Sequence, residues 1–188
     1  MMRLRRELSG LKTYAVFALS LFFCGIILGL LSYPLIEERV GYLIELAFSG
    51  ILVEEDDFAT MLNVFTRNLT ATLMLFLAGI LILPTIAIMF TNGFIIGLVG
   101  MHARSEGVTA LRMFGAVIPH GIFEVPALAL SAGLGLKLGG ELANPGGEKR
   151  LGKFIENVRT LSAVYILVVM PLLLIAAVVE VLVSKNLV

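Results

Sequence analysis

From Thr70 to Met101 the chain runs 32 residues without an Asp, Glu, Lys or Arg. A helix needs about 20 residues to cross a hydrocarbon layer of about 30 Å. The run is therefore too long for one simple span and short for two spans with a polar loop between them. A break inside it is required. Two signals offer one: Pro84, which removes a backbone donor, and Thr91-Asn92-Gly93, an Asn-Gly turn signal set among apolar residues.

The rest of the chain agrees with that medium. Hydrophobic residues make up 59% of it and charged residues 15%, with a mean hydropathy of +0.99, which excludes an ordinary soluble domain. No alternating pattern suggests a barrel, so the fold class is all-α: a polytopic helical membrane protein whose first partner is the lipid bilayer. The formal net charge of zero gives no reason to expect nucleic acid. Cys24 is the single cysteine and sits in the first apolar run. It has no intramolecular partner and reads as a small hydrophobe.

Residues 1–188 read as one integral membrane domain. The first span, about Thr13 to Tyr33, holds Gly25 and Gly29 at small-xxx-small spacing, which lets a second helix approach closely. Arg3, Arg5, Arg6 and Lys12 precede it, so the N-terminus is expected in the cytoplasm of a cell-membrane protein. Pro34 is expected to end this helix. Residues 35–57 then form an amphipathic and acidic extracytoplasmic segment, closing on Glu54, Glu55, Asp56 and Asp57 as a helix start. The second long helix begins near Phe58, with Asn63, Arg67 and Asn68 in an outer part expected to project beyond the bilayer. A short segment, Val108 to Ile118, precedes a helix opened by Pro119-His120-Gly121. The loop around Asn144 to Lys153 has turn chemistry and basic residues, which puts it on the N-terminal side. A last span, Thr160 to Val183, contains Pro171. The simplest count is five spans, with broken or re-entrant helices at Asn92-Gly93 and Pro119-His120-Gly121.

Ionisable and polar residues inside apolar runs are the candidate site residues. His120 and Glu124 lie one helical turn apart on one face. A neutral imidazole and a carboxylate so placed can share a cation, which makes a bound cation one candidate while the cofactor stays unknown. They can equally form a structural pair, with the glutamate bonded to the histidine or to the Asn92 region. Asn68, Asn92 and Glu180 are the other intramembrane polar positions. Asn92 and His120 are each placed to cap a helix start. The chain has two histidines and lacks H-E-x-x-H, a P-loop or a Ser-His-Asp set, so no enzyme is expected.

In order and spacing, Asn68, Gly79, Pro84, Asn92-Gly93, Gly97, Pro119-His120-Gly121, Glu124, Gly133 and Gly139 resemble the stage II sporulation protein M family of polytopic membrane proteins, also described as a domain of unknown function. The resemblance covers residues 65–140 and is carried most specifically by N-G-F-I-I-G and P-H-G-I-F-E. Arg67-Asn68 departs from the paired asparagines of that family. The resemblance implies a five-span helical protein similar to a membrane anchor that, in endospore formers, assembles peptidoglycan-degrading partners. Two expectations follow: a scaffold that recruits membrane or cell-surface proteins and can form a homo-oligomer, or a transporter, channel or ion-binding protein with its site around His120 and Glu124.

Overall fold

The computed structural model describes the backbone of residues 2–48, 56–143 and 150–187, with side chains described for residues 10–43, 56–109, 115, 121–143, 152 and 154–182. The elements are α1 (Met2–Phe48), α2 (Asp57–Ala78), a 3-10 turn (Gly79–Leu81), α3 (Leu83–Ser105), α4 (Ala110–Ala143), α5 (Arg150–Val164), a π-turn (Tyr165–Val169) and α6 (Met170–Leu187). Five helical stretches are long and apolar enough to cross a membrane: Gly10–Leu43, Asp57–Leu81, Leu83–Ser105, Gly121–Ala143 and Phe154–Leu182. The protein is an all-α polytopic membrane protein.

The required break in the uncharged run falls at its proline. α2 tightens into the 3-10 turn, Ile82 takes φ +62° and ψ −64°, and Pro84 sits in the first turn of α3. There the missing N–H of proline has no helical acceptor to disappoint. Positive φ is rare for a β-branched residue. The corner rests on α4, where a Cβ added at Gly139 would meet Ile82 Cγ1 at 3.0 Å.

The other expected breaks are absent. α3 continues through Asn92-Gly93 and α4 through Pro119-His120-Gly121, so neither site is a broken or re-entrant helix. In hydrocarbon an opened turn finds no water for its N–H and C=O groups, so the unbroken helix is the favoured state even through glycine or proline. Pro34 likewise fails to stop α1, which continues to Phe48. Tyr33 and Val40 on either side of it are both buried against Leu98 of α3, and that packing bridges the one lost hydrogen bond. Residues 35–48 thus continue α1 rather than forming a separate interfacial helix, and residues 49–55 lie outside the described part. α2 begins at Asp57, capped by the Asp56 carboxylate, which accepts from the Phe58 N–H at 3.2 Å. In its outer turns Thr60, Phe65, Asn68 and Leu69 pack inward.

Glycines set the helix order. Gly25 and Gly29 of α1 meet Gly93 and Gly97 of α3, and at each of the four a Cβ would overlap backbone of the facing helix. Residue numbers rise together along this seam, so α1 and α3 are parallel, as α2 crossing between them requires. A second seam joins Gly79 at the end of α2 to Gly135 and Gly139 of α4. α4 is the central helix: 61% of its span is buried, against 22–28% for the others. It runs antiparallel to α1, with Gly133 against Ala15 and Gly140 against the Tyr14 hydroxyl. The start of α1 and the end of α4 therefore share one membrane face, together with the α2–α3 corner. Tyr33, His102 and Ser105 mark the opposite face.

The seam predicts a clear contrast. Gly93→Ala drives a methyl into the Phe22 carbonyl and should cost roughly 1–3 kcal/mol as the helices part. Gly100, with nothing within 4 Å of its added Cβ, should accept Ala with no loss. Thermal unfolding in detergent checks this, and equal melting temperatures for Gly93→Ala and wild type would defeat the seam.

Candidate functional site: a polar joint inside the membrane

Polar side chains within the spans mostly return their protons to their own helix. Ser20 donates to the Val16 carbonyl, Thr70 to Thr66, Ser131 to Ala127 and Asn92 Nδ2 to Ile88, at 2.8 to 2.9 Å. Such back-bonding hides a hydroxyl or amide from lipid without a partner helix. Asn92 is therefore neither a helix cap nor part of a break, and its neighbour Gly93 serves the α1–α3 seam.

Thr85 of α3 instead donates to the Leu75 carbonyl of α2 at 3.3 Å, and the last span departs further from this pattern. Pro171 deprives the preceding turn of an N–H, and the last span answers by widening into the π-turn, with the Met170 N–H reaching back to the Tyr165 carbonyl. The first residue of that turn, Tyr165, is buried and points at α2. Its ring stacks on Phe76, with centroids 5.5 Å apart. Its Oη lies 2.9 Å from Thr72 Oγ1 and 3.4 Å from the Leu69 carbonyl. Thr72 Oγ1 in turn lies 2.9 Å from the Asn68 carbonyl and 3.0 Å from that of Leu69. Asn68 is 9% exposed, and its Nδ2 is buried with no hydrogen-bond acceptor among the described residues. An amide left so is uncommon in a folded protein. Asn68 was legible as an intramembrane polar residue. Thr72 and Tyr165 were not, although Pro171 marked the turn that carries the tyrosine.

Two further polar clusters close the ends of the bundle. On one face Tyr33 Oη lies 2.7 Å from Ser105 Oγ, 3.3 Å from His102 Nδ1 and 3.3 Å from Glu37 Oε1, joining α1 to α3. On the other, Asn157 Nδ2 donates to Glu141 Oε2 at 2.7 Å, and the 7%-exposed Lys137 approaches Glu141 Oε1 at 3.9 Å. Neither was anticipated. Their residues lie at the edges of apolar runs, where a polar side chain raises no alarm in a sequence.

The expected pair His120 and Glu124 is placed in part. Both stand on the continuous helix α4; the His120 side chain lies outside the described residues, so no distance between the two is assigned. Glu124 is half-buried and engaged in an interaction, as is Glu180 on α6. Among the described residues no three His, Cys, Asp or Glu side chains gather. Because Glu124 is engaged, Glu124→Ala should destabilise the protein by roughly 1–3 kcal/mol, and Glu124→Gln should recover most of that if shape and hydrogen bonding suffice. Unfolding of both variants in detergent separates a structural role from one needing charge; an unchanged melting temperature in Glu124→Ala would remove Glu124 from consideration.

Comparison with known proteins places this architecture. The chain is 34% identical over 109 residues to an uncharacterized protein from Methanocaldococcus jannaschii, an alignment covering 58% of this chain and 43% of that protein. The chain thus spans under half the length of that relative. No solved structure matches it. The model of one family, described as stage II sporulation protein M, matches residues 10–185, a range that takes in all five spans and both glycine seams, and this chain belongs to the stage II sporulation protein M family.

Proposed function

We propose that the protein is a membrane scaffold that recruits partner proteins through the end of the bundle carrying the extension of α1. One observation carries this reading. Along the parallel seam Gly29 faces Gly97, so Ser105, the last residue of α3, is level with residue 37 of α1. α1 continues to Phe48, roughly 16 Å further at 1.5 Å per residue. On that extension Tyr42 is 68% and Leu43 39% exposed, and Leu35, just before it, is 84% exposed; these are apolar side chains on a rigid rod around and beyond the point where the neighbouring helix ends. Large exposed apolar groups of this kind suit a protein contact. The family membership supports the same reading, since the family's resemblance to an anchor for other proteins needs a docking surface rather than a reaction centre.

The orientation follows from charge. Arg3, Arg5, Arg6 and Lys12 lie at the start of α1, and Arg150 and Lys153 open α5 after the end of α4, on the membrane face that the α1–α4 packing makes common to both. The positive-inside bias puts that face in the cytoplasm and the α1 extension outside. In a Cys24→Ser background, Glu38→Cys should react with a membrane-impermeant thiol reagent in intact cells and Gly152→Cys only after permeabilisation. The reverse pattern would invert the orientation.

A photocrosslinking side chain at position 35 or 42 should give a discrete protein adduct in native membranes, while the same probe at Phe17, which is exposed along the span, should capture lipid. Leu35→Glu with Tyr42→Glu should abolish the adduct and leave thermal stability unchanged. Lipid alone at all three positions would end the scaffold reading.

A second reading, a site for an ion or polar solute, is favoured by the unmatched amide of Asn68. Purified protein in liposomes should then pass or retain an ion in a manner lost in Asn68→Ala. Elemental analysis together with a flux assay distinguishes it from the scaffold.

A further inference from the structure

The corner between α2 and α3 joins two spans, yet it carries nothing that water would hold. Its residues, Gly79-Ile80-Leu81-Ile82-Leu83-Pro84, have no charged or hydrogen-bonding side chain, where a turn in water draws on Asn, Asp and Ser. Leu81 and Leu83 stand outward, 71% and 74% exposed. Thr85 comes next; it is fully buried and gives its hydroxyl proton to the Leu75 carbonyl. The backbone is closed in the same way. The Gly79 N–H reaches the Leu75 carbonyl, the Ile82 N–H the Gly79 carbonyl at 3.0 Å and the Ile86 N–H the Ile82 carbonyl at 3.2 Å. The Gly79 and Ile80 carbonyls lie against Gly139 of α4. Irregular backbone is tolerated at membrane depth only where protein covers it, and this corner meets that condition.

Depth follows from the helix rise. Pro84 lies 18 residues before His102 on the continuous α3, about 27 Å at 1.5 Å per residue. His102 belongs to the polar cluster that closes the opposite end of the bundle, so the corner is reached within the roughly 30 Å of a hydrocarbon layer. The α1–α3 seam agrees. Gly29 faces Gly97, which sets Pro84 level with residue 16 of α1, one turn inside the charged Lys12. Lys137 of α4 stands near the same depth, but it is 7% exposed and reaches toward Glu141, one turn closer to water. We infer that the α2–α3 corner ends within the acyl layer of the leaflet on the side of the α1 start, with lipid chains packed on Leu81 and Leu83, and does not emerge into water. Acyl chains are the occupant this surface fits, because it offers no group that could bond a headgroup or a polar partner. A soluble partner on this face meets other elements. The inference holds whichever face is cytoplasmic, and whether or not the α1 extension recruits a protein.

The chain has no tryptophan, so Leu81→Trp and Leu83→Trp each place a single fluorescent reporter at the corner, at positions exposed enough to take the larger ring. The variants are measured in phosphatidylcholine nanodiscs, where both faces of the bilayer are open to solutes. Both reporters should emit at short wavelength, lose most of their emission when the acyl chains carry bromine, and keep it in iodide. Glu38→Trp, on the exposed side of the α1 extension, should show the reverse and calibrates the two quenchers. Iodide quenching at position 81 or 83, or undiminished emission in brominated lipid, overturns the inference. Hydrogen exchange on the wild-type protein in the same nanodiscs gives a readout free of any substitution. The peptide covering residues 79–85 should stay as protected as the middle of α3, and rapid exchange there overturns the inference as well.

Discussion

Two backbones in contact, with no side chain between them, are what the rest of this structure depends on. Lipid tails are as apolar as leucine, so burying leucines does little to drive helices together inside a bilayer. What remains is close dispersion contact, and the four glycines of the α1–α3 seam allow it by letting carbonyls of one helix rest on the glycines of the other. The Gly79–Gly135–Gly139 seam does the same for α2 and α4. With both seams closed, α4 is surrounded and the α2–α3 corner has a floor to rest on. The unusual backbone at Ile82 is held there by its neighbours rather than by its own preference.

The same medium decides how polar groups are handled. Most hydroxyls and amides in the spans bond back within their own helix, which needs no partner and carries no information about neighbours. The exceptions join different helices, among them Tyr165 with Thr72, Tyr33 with Ser105 and His102, and Asn157 with Glu141. They lie at three depths, one inside the bundle and one near each end. Glycine contact sets how close the helices come, and these polar ties set their register.

Much of this was legible in the residues. The uncharged run demanded a break, the apolar runs gave five spans, and Gly25-Gly29 announced a close helix contact. What misled was chemistry learned from water. Asn92-Gly93 reads as a turn because in water the backbone can leave a helix and be solvated; here Asn92 bonds to Ile88 and Gly93 is the other half of the contact that Gly25 announced. Pro34, Pro119 and Pro171 behave alike for the same reason, since helix is retained around each of them. Among the described residues only Pro84, in a first helical turn, coincides with a real corner. The Tyr165–Thr72 joint was hidden because it is made of common residues brought together from 93 positions apart, and no local pattern records such a meeting.

The parallel α1–α3 seam bears on how the protein is made. The two halves of the seam are 68 residues apart in the chain, and α2 lies between them. During synthesis α1 enters the membrane with its glycine face open and stays so until α3 has followed α2 into the bilayer. For that interval the nascent chain presents a ready helix-binding groove to any membrane protein nearby. The seam can close only once α3 is in place, so the contact that holds the bundle together is also among the later ones to form.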